Sequence, residues 1–184
     1  MLKRLLLVIV LIGVVPSGAR GPLDREPTMA AVRAFFGPRA GFDEVDAELI
    51  SRARQTIDMA AYVLTDRRVI DALESAAKRG VKVRLYLDPE QPGGRDATGG
   101  RVQQLLRAGN VAARVKAQGM DYMHLKTFQV DGRWLRTGST NFSFAGQRRQ
   151  DNDIIVLESR AVAEAFIQQF EILWKRSGNI DLRP

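Results

Sequence analysis

A chain of 184 residues, 45% hydrophobic and 27% charged, carries enough apolar material for one ordinary globular domain with a buried core. It has no cysteine, which excludes disulfides, thiolate metal sites and cysteine nucleophiles, and its single histidine would leave a zinc site relying on carboxylates for nearly every ligand. The formal net charge of +7 fits either a solvated basic surface or contact with a polyanion, and no G-x-S-x-G elbow marks a serine hydrolase.

The chain opens on Met1-Leu2-Lys3-Arg4, then the eleven-residue apolar run LLLVIVLIGVV, then the small residues Ser17-Gly18-Ala19. That order of positive, apolar and small segments predicts a secretory signal peptide over 1–19. The apolar run is short of the about 20 residues a membrane span needs, and an uncleaved N-terminal anchor is the alternative. The domain is then expected over 20–184, periplasmic or secreted. Lys3 and Arg4 leave with the signal and no acid does, so the net charge falls from +7 to +5.

Alternating elements follow. MAAVRAFF (29–36) reads as a strand that stops at Gly37-Pro38, and 43–55 as a helix with Val45, Leu49, Ile50 and Ala53 on one side. IDMAAYVL (57–64) is a strand. Thr65 or Asp66 then caps a helix with an apolar stripe at Val69, Ile70, Leu73 and Ala77, ended by Gly80. A strand is predicted over 81–88, a long loop over 89–100, a helix over 101–108 and a short strand over 111–115. A hairpin, a strand over 153–157 and a final helix capped by Ser159, burying Val162, Phe166, Phe170 and Leu173, complete the chain. The pattern is α/β (α+β), one domain with a mixed β-sheet flanked by helices.

The hairpin, HLKTFQVDGRWLRTGSTN (124–141), contains the only histidine. HLKTFQV alternates with period two, so His124, Lys126 and Phe128 share a face. Asp131-Gly132 is a strong two-residue turn signal. With a two-residue loop, Val130 stands opposite Arg133, Lys126 opposite Thr137 and His124 opposite Ser139. An imidazole, an ammonium, a hydroxyl and, two residues on, the carboxamide of Asn141 then converge. An imidazole can attack or carry protons, and the other three groups can hold the oxygens of a tetrahedral phosphate.

His124-x-Lys126-x4-Asp131-x6-Gly138-Ser139-x-Asn141 resembles the HKD motif of the phospholipase D superfamily, with every defining position filled. AAYVLTDRRVIDALESAAKRGVKVRLYLD (60–88) is similar to that family's N-terminal strand–helix–strand, and the chain looks most like its short single-motif members, the periplasmic-type endonucleases and their mitochondrial relatives. The resemblance implies a phospholipase D-like fold and a phosphodiesterase that needs neither metal nor other cofactor. Its histidine would attack phosphorus to give a covalent phosphohistidine while a second histidine protonates the leaving oxygen. Lys126 and Asn141 would bind phosphate oxygens, supported by Ser139. Because the family's reaction uses two histidines and this chain has one, the resemblance implies a homodimer with a shared active site.

Asp131 sits inside the turn, and its expected job, like that of Gly138, is structural. The family also orients its histidine with a carboxylate on the later strand. Here Asn152 stands at that position, and Asp153 or Asp151 is the candidate after a one-residue shift. Arg101, Arg107, Arg114, Lys116, Arg133, Arg136, Arg148 and Arg149 crowd the C-terminal half around the motif. The expected partner is a phosphodiester, nucleic acid ahead of phospholipid headgroups, with a catalytically weak nucleic-acid-binding module as the reading from another class.

Overall fold

A computed structural model describes residues 31–38, 40–91 and 100–184. The expected signal segment 1–19, the first residues of the expected strand over 29–36 and most of the loop over 89–100 lie outside the described residues. In chain order the elements are β1 (Ala31–Phe36), α1 (Phe42–Ser51), β2 (Thr56–Ala61), α2 (Arg67–Lys78), β3 (Lys82–Leu87), α3 (Arg101–Leu106) and β4 (Val111–Val115). β5 (Lys126–Val130), β6 (Trp134–Gly138), α4 (Phe144–Arg148), β7 (Asp153–Glu158), α5 (Arg160–Trp174) and β8 (Ile180–Leu182) follow.

The expected helices form where their caps and stripes put them. Asp66 accepts a hydrogen bond from the Val69 amide at the start of α2, whose buried face is Val69, Ile70, Leu73, Ala76 and Ala77. Gly80, at φ 94°, lets the chain leave this helix in a left-handed turn. Ser159 caps α5 through the Val162 amide, and that helix buries Ala163, Phe166, Phe170 and Leu173, with Val162 only partly covered. α1 ends at Ser51, four residues before the expected limit, because the chain must turn to enter β2. Two elements went unread in the sequence: α4, capped by the Ser143 hydroxyl, and the three-residue edge strand β8.

The eight strands form one mixed sheet in the order β1-β7-β6-β5-β2-β3-β4-β8. β2, β3 and β4 run parallel through helical crossovers, and the remaining pairs are antiparallel. Each face of the sheet buries its own layer. Ile57, Met59, Val83, Leu85, Phe128 and Val130 pack with Leu49, Ile50 and Leu73 from α1 and α2. On the other face Ala60, Tyr86 and Leu135 meet Phe166, Phe170 and Leu173 of α5. Each large apolar side chain so buried stabilises the fold by about 1.5–3 kcal/mol.

The hairpin departs from the expected register. Asp131 and Gly132 adopt positive φ (54° and 60°), and the Arg133 amide closes the turn on the Val130 carbonyl at 3.0 Å. Arg133 then bulges, and the ladder resumes as Val130↔Trp134, Gln129↔Leu135 and Phe128↔Arg136. That shift of one residue exchanges the faces of β6. Leu135 turns to α5 while Arg136 enters the core between the sheet and α1. Asp131 also does more than shape the turn. Its carboxylate accepts from the backbone amides of Arg54, Gln55 and Thr56 at 2.8, 2.8 and 2.9 Å, fastening the hairpin to the chain that enters β2.

Gly138 is required where β6 meets β7. Its φ is 150°, and a Cβ there would stand 2.3 Å from the Asp153 carbonyl oxygen and 2.8 Å from Ile154 Cα. Neither backbone atom can move without opening the ladder. Gly138→Ala should therefore cost about 3 kcal/mol, the scale of overpacking and backbone strain together, and lower the unfolding midpoint by roughly 6–12 °C in a domain of this size. A calorimetric midpoint within a degree or two of the parent would show that the close approach is not tight.

Candidate active site

The C-terminal ends of β2 and β3 and the N-terminal end of β5 meet at one end of the central strands, and His124 and Lys126 lie there. β5 begins at Lys126, so His124 lies in the irregular segment just before it rather than in the ladder. That segment is held from two sides. The Met123 amide donates to the buried Asp88 carboxylate at the end of β3 (2.8 Å), and the Tyr62 amide donates to the Leu125 carbonyl (2.8 Å). His124 itself is exposed, with its ring edge-on to Tyr62 at 4.5 Å between centroids.

Lys126 is buried on the face shared with Phe128. Its ammonium donates to the His124 carbonyl at 2.8 Å and lies 4.8 Å from the centre of the Tyr62 ring. One aromatic ring thus touches both the imidazole and the ammonium. Tyr62 meets Tyr122 as well, edge-on at 5.7 Å. Burial raises the Tyr62 phenol above its ordinary value, helped by the nearby Tyr122, Asp88 and Glu90, so the ring stays neutral. Nothing in the spacing of 57–64 or 81–88 marked Tyr62 or Asp88 as part of the site.

Asn141 follows β6 and comes in from the other side. The chain beyond it pairs with the segment that follows β2 through the Leu64–Phe142 bridge, with the Thr65 and Asp66 amides both donating to the Phe142 carbonyl at 2.8 Å. The Asn141 carboxamide oxygen is buried with no hydrogen-bond partner among the described residues. α4 closes on the Asn141 backbone only because Gly146 has no Cβ, which would otherwise lie 2.7 Å from the Asn141 carbonyl oxygen.

Ser139 does not stand opposite His124, because of the register shift. Its hydroxyl is turned to β7, donating toward Asp153 Oδ1 (2.5 Å) with Asn152 Oδ1 at 3.1 Å, and it accepts from the Asp153 amide (2.9 Å). Asp153 is therefore placed on Ser139, and Asp151 is exposed. Among the described residues neither hydrogen-bonds His124. Nor are any three His, Asp or Glu side chains among the described residues grouped to hold a metal ion.

The basic cluster read from the sequence is largely consumed in pairs. Arg136 is fully buried on Asp46, Arg148 pairs with Asp43 and Glu44, Arg133 with Glu158, Arg114 with Asp181 and Arg101 with Asp71. Lys116 is buried and donates to the Asp121 carbonyl. Of the eight, Lys116, Arg107 and Arg149 have no acidic partner among the described residues. The net charge overstates the free cationic surface because so many of its cations face carboxylates distant in sequence.

Burial, with the Arg136 cation adding to it, pushes the Lys126 ammonium below the ordinary lysine value of 10.5. A protonated Lys126 is needed to hold an anionic oxygen. If Lys126 has that role, turnover should fall as pH rises through that lowered value. The Arg at Lys126→Arg stays charged across the same range and should remove this alkaline limb even at reduced turnover. Measuring kcat from neutral pH upward for both proteins checks this. An identical limb in the Lys126→Arg protein would assign it to another group.

A family model described as cardiolipin synthase, PLD-like domain, matches residues 47–174, a span containing every motif position. A phospholipase D of Rickettsia felis is 33% identical over 139 residues, covering 76% of this chain and 67% of that protein. A mitochondrial cardiolipin hydrolase of Xenopus tropicalis is 30% identical over 127 residues, 69% of this chain and 58% of that one. Among solved structures, Nuc of Salmonella typhimurium, a phospholipase D family member, superposes with a TM-score of 0.75 at 25% identity, covering 85% of this chain and all of that one. NucT from Helicobacter pylori, at 20% identity and a TM-score of 0.72, shares the fold.

Proposed function

The chain belongs to the phospholipase D superfamily and is a phosphodiesterase of that family, and on this premise we propose that it cleaves nucleic acid as an exported, metal-independent endonuclease acting through a covalent phosphohistidine. The observation that carries the reading is the grouping of His124, Lys126 and Tyr62, with the Lys126 ammonium bonded to the His124 carbonyl and one ring against both side chains. In the first step the His124 imidazole attacks phosphorus, an N–P bond forms and the bond to the leaving oxygen breaks. The Lys126 ammonium and the Asn141 amide hold the non-bridging oxygens as charge builds on them. A second imidazole, in line on the far side, gives its proton to the leaving oxygen. It then takes a proton from water, which attacks phosphorus and releases His124.

That second imidazole is not in this chain, which has one histidine. A second copy related by a two-fold axis through the site supplies it, since the axis brings His124 to His124. The exposure of His124 leaves it free for such an approach.

Nucleic acid is favoured by Tyr122, 61% exposed and edge-on to Tyr62, which offers a ring face to a base flanking the scissile phosphate. A phospholipid substrate is the second reading. Exposed Met120, Tyr122 and Leu125 around His124, with Phe144 beyond Asn141, would suit an acyl or interfacial surface. The protein offered single-stranded DNA, duplex DNA, RNA and phosphatidylcholine vesicles side by side in EDTA should cut nucleic acid. Release of choline alone would replace the first reading with the second. No turnover of any substrate would favour a nucleic-acid-binding module.

A further inference from the structure

The ladder between β5 and β6 stops at Phe128↔Arg136, so beyond it no ladder bonds tie Lys126 to the chain leading into Asn141. The Arg136 side chain spans this gap, beside a hydrogen bond between the Thr127 and Thr137 hydroxyls at 3.0 Å. One guanidinium nitrogen, Nη1, donates to the Lys126 carbonyl at 2.8 Å and to the Thr140 carbonyl at 3.3 Å. Thr140 immediately precedes Asn141. The other two nitrogens grip Asp46 of α1 in a two-point pair, Nε to Oδ1 at 2.8 Å and Nη2 to Oδ2 at 2.9 Å. Gln147 of α4 donates to the same carboxylate at 3.0 Å, and the guanidinium lies over the Phe142 ring at 4.5 Å. Both charged partners are 0% exposed.

A fully buried ion pair is a poor way to gain stability. Removing two charges from water costs about as much as their attraction returns, and well-packed apolar side chains of similar volume often do as well or better. What an apolar pair cannot do is bond two carbonyls on different segments at once. We propose that Arg136, held by Asp46, is a positioning residue that clamps the backbone of Lys126 to that of Thr140 and so sets the separation of the two groups that hold phosphate oxygens. Because the Lys126 ammonium in turn donates to the His124 carbonyl, the clamp reaches the nucleophile as well. This inference rests on the phosphodiesterase reading of Lys126 and Asn141 given above.

Three proteins test it: the parent, Arg136→Lys, and the apolar double variant Asp46→Leu/Arg136→Met. Each is assayed for kcat and KM on bis(p-nitrophenyl) phosphate in EDTA, for its unfolding midpoint, and for amide hydrogen exchange at 125–127 and 140–142 against α5. The double variant should still fold, with a midpoint somewhat below the parent's because the Lys126 and Thr140 carbonyls and the Gln147 amide lose their partners. Its kcat should fall about 10–100-fold, the scale of a misplaced catalytic group, with KM within about threefold. Arg136→Lys keeps the charge but lacks the fork, and should lose kcat similarly. Exchange should quicken at 125–127 and 140–142 and stay unchanged in α5. Parent-like kcat in either variant would overturn the clamp, as would a double variant that fails to fold, because the pair would then be structural. An inactive parent would overturn the phosphodiesterase reading instead, and the exchange pattern would still decide whether Arg136 joins the two segments.

Discussion

When His124→Ala chains are unfolded, mixed with parent chains and refolded together, phosphodiesterase activity should fall as the square of the parent fraction. The proposed reaction needs a nucleophile on one side of phosphorus and a proton donor on the other, and each chain supplies one imidazole. A mutant pair lacks both roles and should be inactive. A mixed pair keeps one imidazole and can attack or protonate, but not both, so its turnover collapses too. At equal amounts only the parent–parent assemblies, about one quarter of a randomly assorted two-fold population, retain full activity. A straight-line decrease would mean that each chain works alone. The shared site and the two-histidine mechanism would then both be withdrawn, although the grouping of His124, Lys126 and Tyr62 would stand.

Lys126→Ala should lower kcat by at least about two orders of magnitude, the range seen when one donor to a developing oxyanion is removed. The side chain is 7% exposed, and its ammonium bonds a carbonyl rather than a carboxylate, so the fold bears the desolvation of a cation with no direct anionic partner. Removing that cation relieves a cost, and Lys126→Met, which keeps the aliphatic stem, should unfold at or above the parent midpoint while losing the same activity. The combination separates catalysis from stability. Near-parent turnover in either variant would take Lys126 out of the site. A large drop in midpoint in both would make its role structural.

Much of the fold could be read before any coordinates because its signals are local. The stripe of α2, the Asp66 cap, the nearly all-buried run of β2 and the Ser159 cap each depend on residues within a turn or two of one another. β8 carried no such signal, since three residues at a sheet edge have no period to detect. α4 was equally hidden, because a five-residue helix leaves only its Ser143 cap to recognise. The motif around His124 was legible for another reason: spacing and residue type are properties of the chain, and they suffice to identify a family.

Geometry at the site was less accessible. The Asp131-Gly132 turn formed with positive φ at both residues, yet whether Arg133 would pair or bulge could not be read from the hairpin alone. Alternation along β6 is equally consistent with either register. The choice depends on β7, where Gly138 must pass the Asp153 carbonyl, and on a core that takes Arg136 inward only because Asp46 and Gln147 wait there from α1 and α4. The same distance in sequence hid the fate of the basic cluster, whose partners Asp43, Asp46 and Asp71 lie in elements far upstream. The sequence by itself therefore determined most of the elements, the family and the candidate residues of the site. Only the tertiary structure decided which face of β6 meets Lys126, which acid holds Ser139 and which cations remain free, because each of those choices turns on pairings between segments that local periodicity does not encode.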